Sequence, residues 1–166
     1  MSTTDGDMVF EFWNDAATNT IANFKKLANA KFYDGTAFHR IMNNFMVQGG
    51  DPTTKDPNAK ANYGMGGPGY NIPDEKNSHK HERGVIAMAN SGVPNSGGSQ
   101  FYICFVARPD LDMANYTTFG HLIKGDDVLE KIRKTPVELS PRNEMSVPLQ
   151  RVEITSIKIV PASSVK

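Results

Sequence analysis

The segment FHRIMNNFMVQGGD, residues 38–51, sets two polar side chains, Arg40 and Gln48, into an otherwise apolar hairpin pattern. Arginine offers five N–H donors in a rigid, permanently charged fork, and glutamine both donates and accepts. Beside apolar side chains, a guanidinium can stabilise a lone pair that develops during a reaction, and a carboxamide can hold substrate backbone. Strands alternate faces, so Phe38, Arg40 and Met42 are expected on one side and His39 and Ile41 on the other. In the second arm Met46 and Gln48 share a face opposite Phe45 and Val47. Asn43-Asn44 supplies two residues that tolerate positive φ, as a tight hairpin turn requires. One face thus carries Arg40, Met42, Met46 and Gln48. The hairpin alone leaves open whether that face is merely solvated, with long stems covering apolar neighbours, or is a binding surface.

Other chemistries find less support. The stretch YGMGGPGYNIP, residues 63–73, lacks the Gly-Lys-Ser/Thr ending of a phosphate loop, and its glycines read as turn formers. His79 and His81 form an H-x-H pair without a cysteine or carboxylate constellation, which favours a solvated loop over a metal site. Cys104 sits in the apolar run QFYICF, where cysteine packs as a small hydrophobe, with nothing adjacent to activate it. Ser96 and Ser99 lack a nucleophile elbow. Asn115-Tyr116-Thr117 has the form of a glycosylation acceptor, which has meaning only in a secreted protein. No metal or cofactor is expected.

The elements that must position Arg40 and Gln48 are mostly short strands. Alternation and bounding turn residues predict strands over 8–13, 37–42, 45–49, 85–88, 100–105 and 152–160. Two stretches read as helices. NTIANFKKLANAKF places Ile21, Phe24, Leu27 and Ala28 on one face with Thr18 as N-cap. GDDVLEKIRK groups Val128, Leu129 and Ile132, with acidic residues at its start and basic ones at its end. Many strands plus two helices predict a β-barrel or sandwich with helical caps. The 166 residues suit one domain, 1–166, with one core.

Lys plus Arg and Asp plus Glu are each 18, which excludes a strong field for nucleic acid or an anionic membrane. No apolar run approaches the roughly 20 residues that cross a bilayer. The opening MSTTDGDMVF lacks the pattern of a secretory signal, and the single Cys104 excludes an internal disulfide, so a soluble cytoplasmic protein is expected.

FHRIMNNFMVQGGD and MANSGVPNSGGSQFYI closely resemble the two signature segments of the cyclophilins, which are peptidyl-prolyl cis/trans isomerases. The likeness continues through GGPGY and YTTFG and spans about residues 8–160. It implies a mainly β fold, an eight-stranded antiparallel β-barrel capped by two α-helices, with the proline site on its outer surface. Carried over by position, it implies Arg40 as the catalytic arginine. Phe45, Met46, Gln48, Ala89, Asn90, Gln100, Tyr102, Leu111 and Tyr116 then bind substrate. Tyr102 stands where phenylalanine is usual, and the extra residue in LDMANYTTFG blurs the register of residues 113–116. Members that bind cyclosporin well carry tryptophan before that leucine. Asp110 stands there instead, which implies weak cyclosporin binding. The implied partners are proline-containing peptides and unfolded or partly folded proteins, met by a monomer. Two further departures concern the fold: only four residues precede DGD where the family has a strand, and TTKDPNAKANYGM exceeds the usual loop. A proline-peptide binding module without turnover and a structural subunit of an assembly remain as competing classes.

Overall fold

Apolar alternation builds strands here and glycine or proline ends them, which gives many short segments. A computed structural model describes residues 1–114 and 116–165. In chain order they form β1 (Ser2–Thr3), β2 (Gly6–Asp7), β3 (Val9–Phe12), α1 (Thr18–Asn29), β4 (Thr36–Ala37), β5 (Arg40–Met42), β6 (Met46–Gly49), β7 (Val85–Met88), β8 (Phe101–Cys104), α2 (Pro109–Asp112), β9 (Thr118–Lys124), α3 (Asp126–Arg133), β10 (Val137–Leu139), β11 (Met145–Pro148) and β12 (Glu153–Ser156). Pairing is antiparallel throughout these strands, in a six-stranded sheet β3-β9-β7-β8-β6-β5, a four-stranded sheet β2-β1-β12-β4 and the hairpin β10-β11.

The expectation of a mainly β antiparallel fold with helices therefore holds. The detail differs: among the described residues there are twelve short strands instead of eight, hydrogen bonding does not join the sheets into a closed ring, and α2 adds a third helix. The opening strand exists as the two-residue β1, paired with β12.

Both larger sheets turn one face to a shared core. Phe38, Ile41, Val47, Ile86, Phe101, Ile103, Phe119 and Ile154 meet there, with Phe24 and Leu27 from α1 and Leu129 and Ile132 from α3. The ring of Phe24 lies 5.0 Å from Tyr33, 5.3 Å from Phe119 and 5.6 Å from Phe101, in the tilted and edge-on arrangements that aromatic quadrupoles favour. Val128, Leu129 and Ile132 are buried as their spacing requires.

Three local expectations are corrected. Phe38 does not share a face with Arg40: it lies in the core at 1% exposure, because the chain passes from the β12 sheet to the β6 sheet between β4 and β5, breaking the alternation. The hairpin turn has three residues, since Met42 pairs with Met46 and the Phe45 N–H donates to the Met42 carbonyl at 2.8 Å. Neither Asn43 nor Asn44 adopts positive φ, and Phe45 is released to fold over the outer face beside Met46. Thr18 is not the cap of α1 but its first residue, preceded by a left-handed Ala17 with φ 52°.

The cap comes instead from Glu75, whose carboxylate accepts from the backbone N–H groups of Asn19 (3.0 Å) and Thr20 (2.7 Å) and from both side chains. Burial alone would raise the Glu75 pKa, but these four donors hold it below the usual glutamate range. Glu75→Ala should therefore lower unfolding free energy by about 1–2 kcal/mol in urea titrations. The sign with pH follows from a depressed folded pKa. The wild-type advantage is full above the ordinary glutamate range and disappears as pH falls through the folded value.

The Gly49-Gly50 pair closes β6 for steric reasons. A Cβ on Gly49 would stand 2.8 Å from the Phe38 ring. Gly50 has φ +84° and lies against the Ser99 carbonyl, where no side chain fits.

Candidate functional site

The outer face of the six-stranded sheet carries a second apolar cluster. Cross-strand pairing sets Arg40, Gln48, Tyr102 and Ala87 in one row across β5, β6, β8 and β7, and Met42, Met46 and Cys104 in the next. Met46, Ala87, Tyr102 and Cys104 are buried there, with Met42, Phe45, Ala89, Leu111 and Tyr116 packed around them. Tyr116 stands edge-on to Tyr102 at 5.8 Å. The register implied for Leu111 and Tyr116 therefore places both at this floor, although Asn115 between them lies outside the described residues.

Beside the floor runs a chain of hydrogen bonds. Arg40 Nη1 donates to Gln48 Oε1 at 3.3 Å, and Gln48 Nε2 donates to Gln100 Oε1 at 2.9 Å. Gln100 Nε2 donates in turn to the carbonyls of Gly64 (3.0 Å) and Gly66 (2.8 Å). That last contact fixes the inner end of the long loop, which Asp51 ties down through the N–H groups of Thr53 and Gly64. A groove of about 1310 Å³ opens on this side and is lined by Arg40, Gln48, Ala89, Asn90 and Gln100, but not by Phe45, Met46, Tyr102 or Leu111. The groove and the apolar floor thus adjoin along the Arg40–Gln48 edge. All ten residues implied by the resemblance are distributed between them.

Arg40 has a further partner that the sequence did not disclose. Glu144 takes its Nε and Nη2 hydrogens side-on, both at 2.7 Å, across 104 residues of chain. The Arg40 guanidinium beside it holds the Glu144 carboxyl down to about 2. A pattern search has no handle on Glu144, because it sits in a polar loop with no periodicity or motif.

Above the floor, Arg108 lies 3.8 Å from the centre of the Phe45 ring and is held there by Asp110, which accepts its Nε–H at 2.8 Å. Asp110 is therefore already engaged at the rim. Below the floor, Tyr102 replaces an apolar edge with a hydroxyl 2.9 Å from His81 Nε2, and His81 Nδ1 stands 2.9 Å from Asp112. Burial pushes the Tyr102 phenol far above its ordinary value. Its hydroxyl is thereby a fixed, uncharged group with a partner.

His81 is 3% exposed, and His79 stacks 3.8 Å over Trp13 and reaches Asp15 at 3.1 Å. The solvated loop expected for the pair therefore fails for His81, which is buried, while His79 lies half-buried in a loop against an exposed Asp15. Among the described residues no group of three or more His, Cys, Asp or Glu is arranged to hold a metal ion. Cys104 is buried and its thiol is pushed up to about 12 by burial, so it is inert packing.

Comparison with known proteins agrees with this geometry. The family model described as cyclophilin type peptidyl-prolyl cis-trans isomerase matches residues 1–159. A peptidyl-prolyl cis-trans isomerase of Synechococcus elongatus is 43% identical over 133 residues, covering 80% of this chain and 84% of the relative. Peptidyl-prolyl cis-trans isomerase B of Bacillus subtilis is 40% identical over 141 residues, covering 78% of this chain and 92% of the relative. A crystal structure of a Cryptosporidium parvum cyclophilin type peptidyl-prolyl cis-trans isomerase, obtained in the presence of the dipeptide Ala-Pro, superposes with a TM-score of 0.83 at 32% identity, covering 96% of each chain. With both signature segments folded onto one face and relatives matched along most of their length, the chain belongs to the cyclophilin-type peptidyl-prolyl cis-trans isomerases.

Proposed function

We propose that this chain accelerates rotation about X-Pro bonds by hydrogen-bonding the twisted amide through Arg40, while Phe45, Met46, Ala89, Tyr102, Leu111 and Tyr116 receive the proline ring. The single observation that carries this reading is the Arg40 guanidinium, hydrogen-bonded to Gln48 at the edge of an apolar floor. Rotation about a peptide bond faces a barrier of about 18–20 kcal/mol because the nitrogen lone pair is delocalised into the carbonyl. In the twisted state that lone pair is localised and becomes an acceptor, so a donor placed there binds the transition state and scarcely the ground state. A charge-assisted hydrogen bond contributes about 1.5–3 kcal/mol, or one to two decades of rate. The remainder comes from the apolar floor, which disfavours the more dipolar planar amide. Gln48, Asn90 and Gln100 hold substrate backbone. No proton transfer or covalent step enters.

The Ala-Pro dipeptide used with the Cryptosporidium relative supports short prolyl peptides as substrates, and partly folded chains with exposed X-Pro segments extend that class. We further read the protein as a monomer of a reducing, cytoplasmic compartment, on the strength of its lone free cysteine and balanced charge. Cyclosporin should bind weakly, because Asp110 occupies the rim.

Refolding of a client limited by a trans-to-cis prolyl step is the test. The protein should raise the slow-phase rate and leave the final yield unchanged, since a catalyst cannot move an equilibrium. A changed yield with an unchanged rate would identify a binding module instead.

A further inference from the structure

Resting on that reading, we propose that Glu144 is the positioning residue for Arg40, holding the guanidinium side-on so that its remaining donors face the prolyl nitrogen. Of the five N–H groups, Glu144 takes Nε–H and one Nη2–H, and Gln48 takes one on Nη1. Among the described residues this leaves one N–H on each terminal nitrogen for substrate. The Gln48 bond, at 3.3 Å, is long and single, so it cannot by itself fix the roll of the fork. A bidentate carboxylate can, because two parallel bonds define the plane.

Glu144 is itself built into place. The Ser140 N–H donates to the Glu144 carbonyl at 2.8 Å, the Glu144 N–H reaches Ser140 Oγ at 3.2 Å, and Asn143 before it adopts a left-handed φ of 61°. The β10-β11 hairpin thus delivers a preset acceptor to β5. Stability alone does not account for it: the Arg40 and Glu144 side chains are 33% and 28% exposed, so water screens part of what this two-pronged pair adds to folding. What the pair changes is where the charged fork stands, which a twisted-amide mechanism needs at ångström precision.

Glu144→Gln keeps the shape and one acceptor but removes the charge that aligns both donors. For a short Ala-Pro peptide, kcat should fall about fivefold, which is about 1 kcal/mol of barrier, with KM within twofold. Glu144→Asp should recover part of the loss. In an Arg40→Ala background, Glu144→Gln should have no further effect, because a positioning residue acts only through the group it positions. Full kcat in Glu144→Gln would overturn the proposal. So would a rise in kcat, which would make Glu144 a competitor of substrate, or an additive loss in the double variant. A wild-type protein without isomerase activity would instead sink the reading on which the inference rests.

Discussion

Arg40→Ala should reduce kcat/KM for a short prolyl peptide by at least about tenfold, the lower end of what one charge-assisted hydrogen bond supplies. Folding should survive. Arg40 lies on the outer face with its side chain one-third exposed, while the β5 residue that seals the core is its neighbour Ile41, at 0% exposure. Losing the guanidinium leaves a Glu144 side chain only 28% exposed without its two-pronged partner, a loss that water screens in part, so unfolding free energy should fall by about 1–2 kcal/mol and leave the fold intact. Exchange NMR on the peptide and a urea titration on the same sample separate the two effects. Arg40→Lys would refine the result. A lysine keeps the charge but not the fork, so it should restore little if planar, two-pronged hydrogen bonding is what the site uses. Wild-type turnover by a well-folded Arg40→Ala protein would remove the guanidinium from the mechanism and leave the apolar floor as its whole content.

What the sequence made legible, and what it did not, follows the range of the interactions. The strands carrying the site were visible because alternation is local: Ile41 and Val47 point inward, and Arg40 and Gln48 outward, as period two requires. The buried stripes of α1 and α3 were visible for the same reason. Strand β9 was not, although it is the longest. Its middle holds Gly120 and His121, which interrupt the apolar alternation, and the glycine is there because a side chain would meet the Glu11 carbonyl of the paired strand at 2.5 Å. The β10-β11 hairpin was equally silent, with prolines at 136, 141 and 148 interrupting any pattern. Glu75 and Glu144 belong to a third kind. Each supplies a carboxylate to an element 55 or 104 residues away, and nothing local distinguishes such a residue from a solvated glutamate. The motif reading named residues that the fold gathers at the floor and the groove. The groups that hold those groups came only with the fold.

Asp110→Trp should raise cyclosporin affinity by at least about tenfold and leave turnover of short peptides within about threefold of wild type. The wild-type rim presents a carboxylate bound to Arg108, whose guanidinium covers the Phe45 ring. Asp110 is exposed, and its hydrogen bond to Arg108 holds its pKa below the ordinary aspartate range, so at neutral pH it is an acceptor only. A large apolar macrocycle settling there has to cover this ion pair and strip part of its water without offering it hydrogen bonds in return. An indole reverses both conditions. It donates one N–H, and its rings bury apolar area against the ligand, each effect being of the order of 1 kcal/mol. The substitution also frees Arg108 from its acceptor, which loosens the cover over Phe45 and widens the floor for the drug. In the proposed binding mode short peptides engage Arg40, Gln48 and the Met46–Tyr102 floor and extend little over the rim, so their isomerisation should be nearly indifferent to residue 110. Paired titrations of wild type and Asp110→Trp, reading drug affinity and peptide exchange on the same samples, test the argument. Tight binding by the wild type would mean that the Asp110–Arg108 pair is readily displaced or accommodated. No gain in the variant would mean that the long loop beyond Asp51, not the rim residue, limits access of the macrocycle.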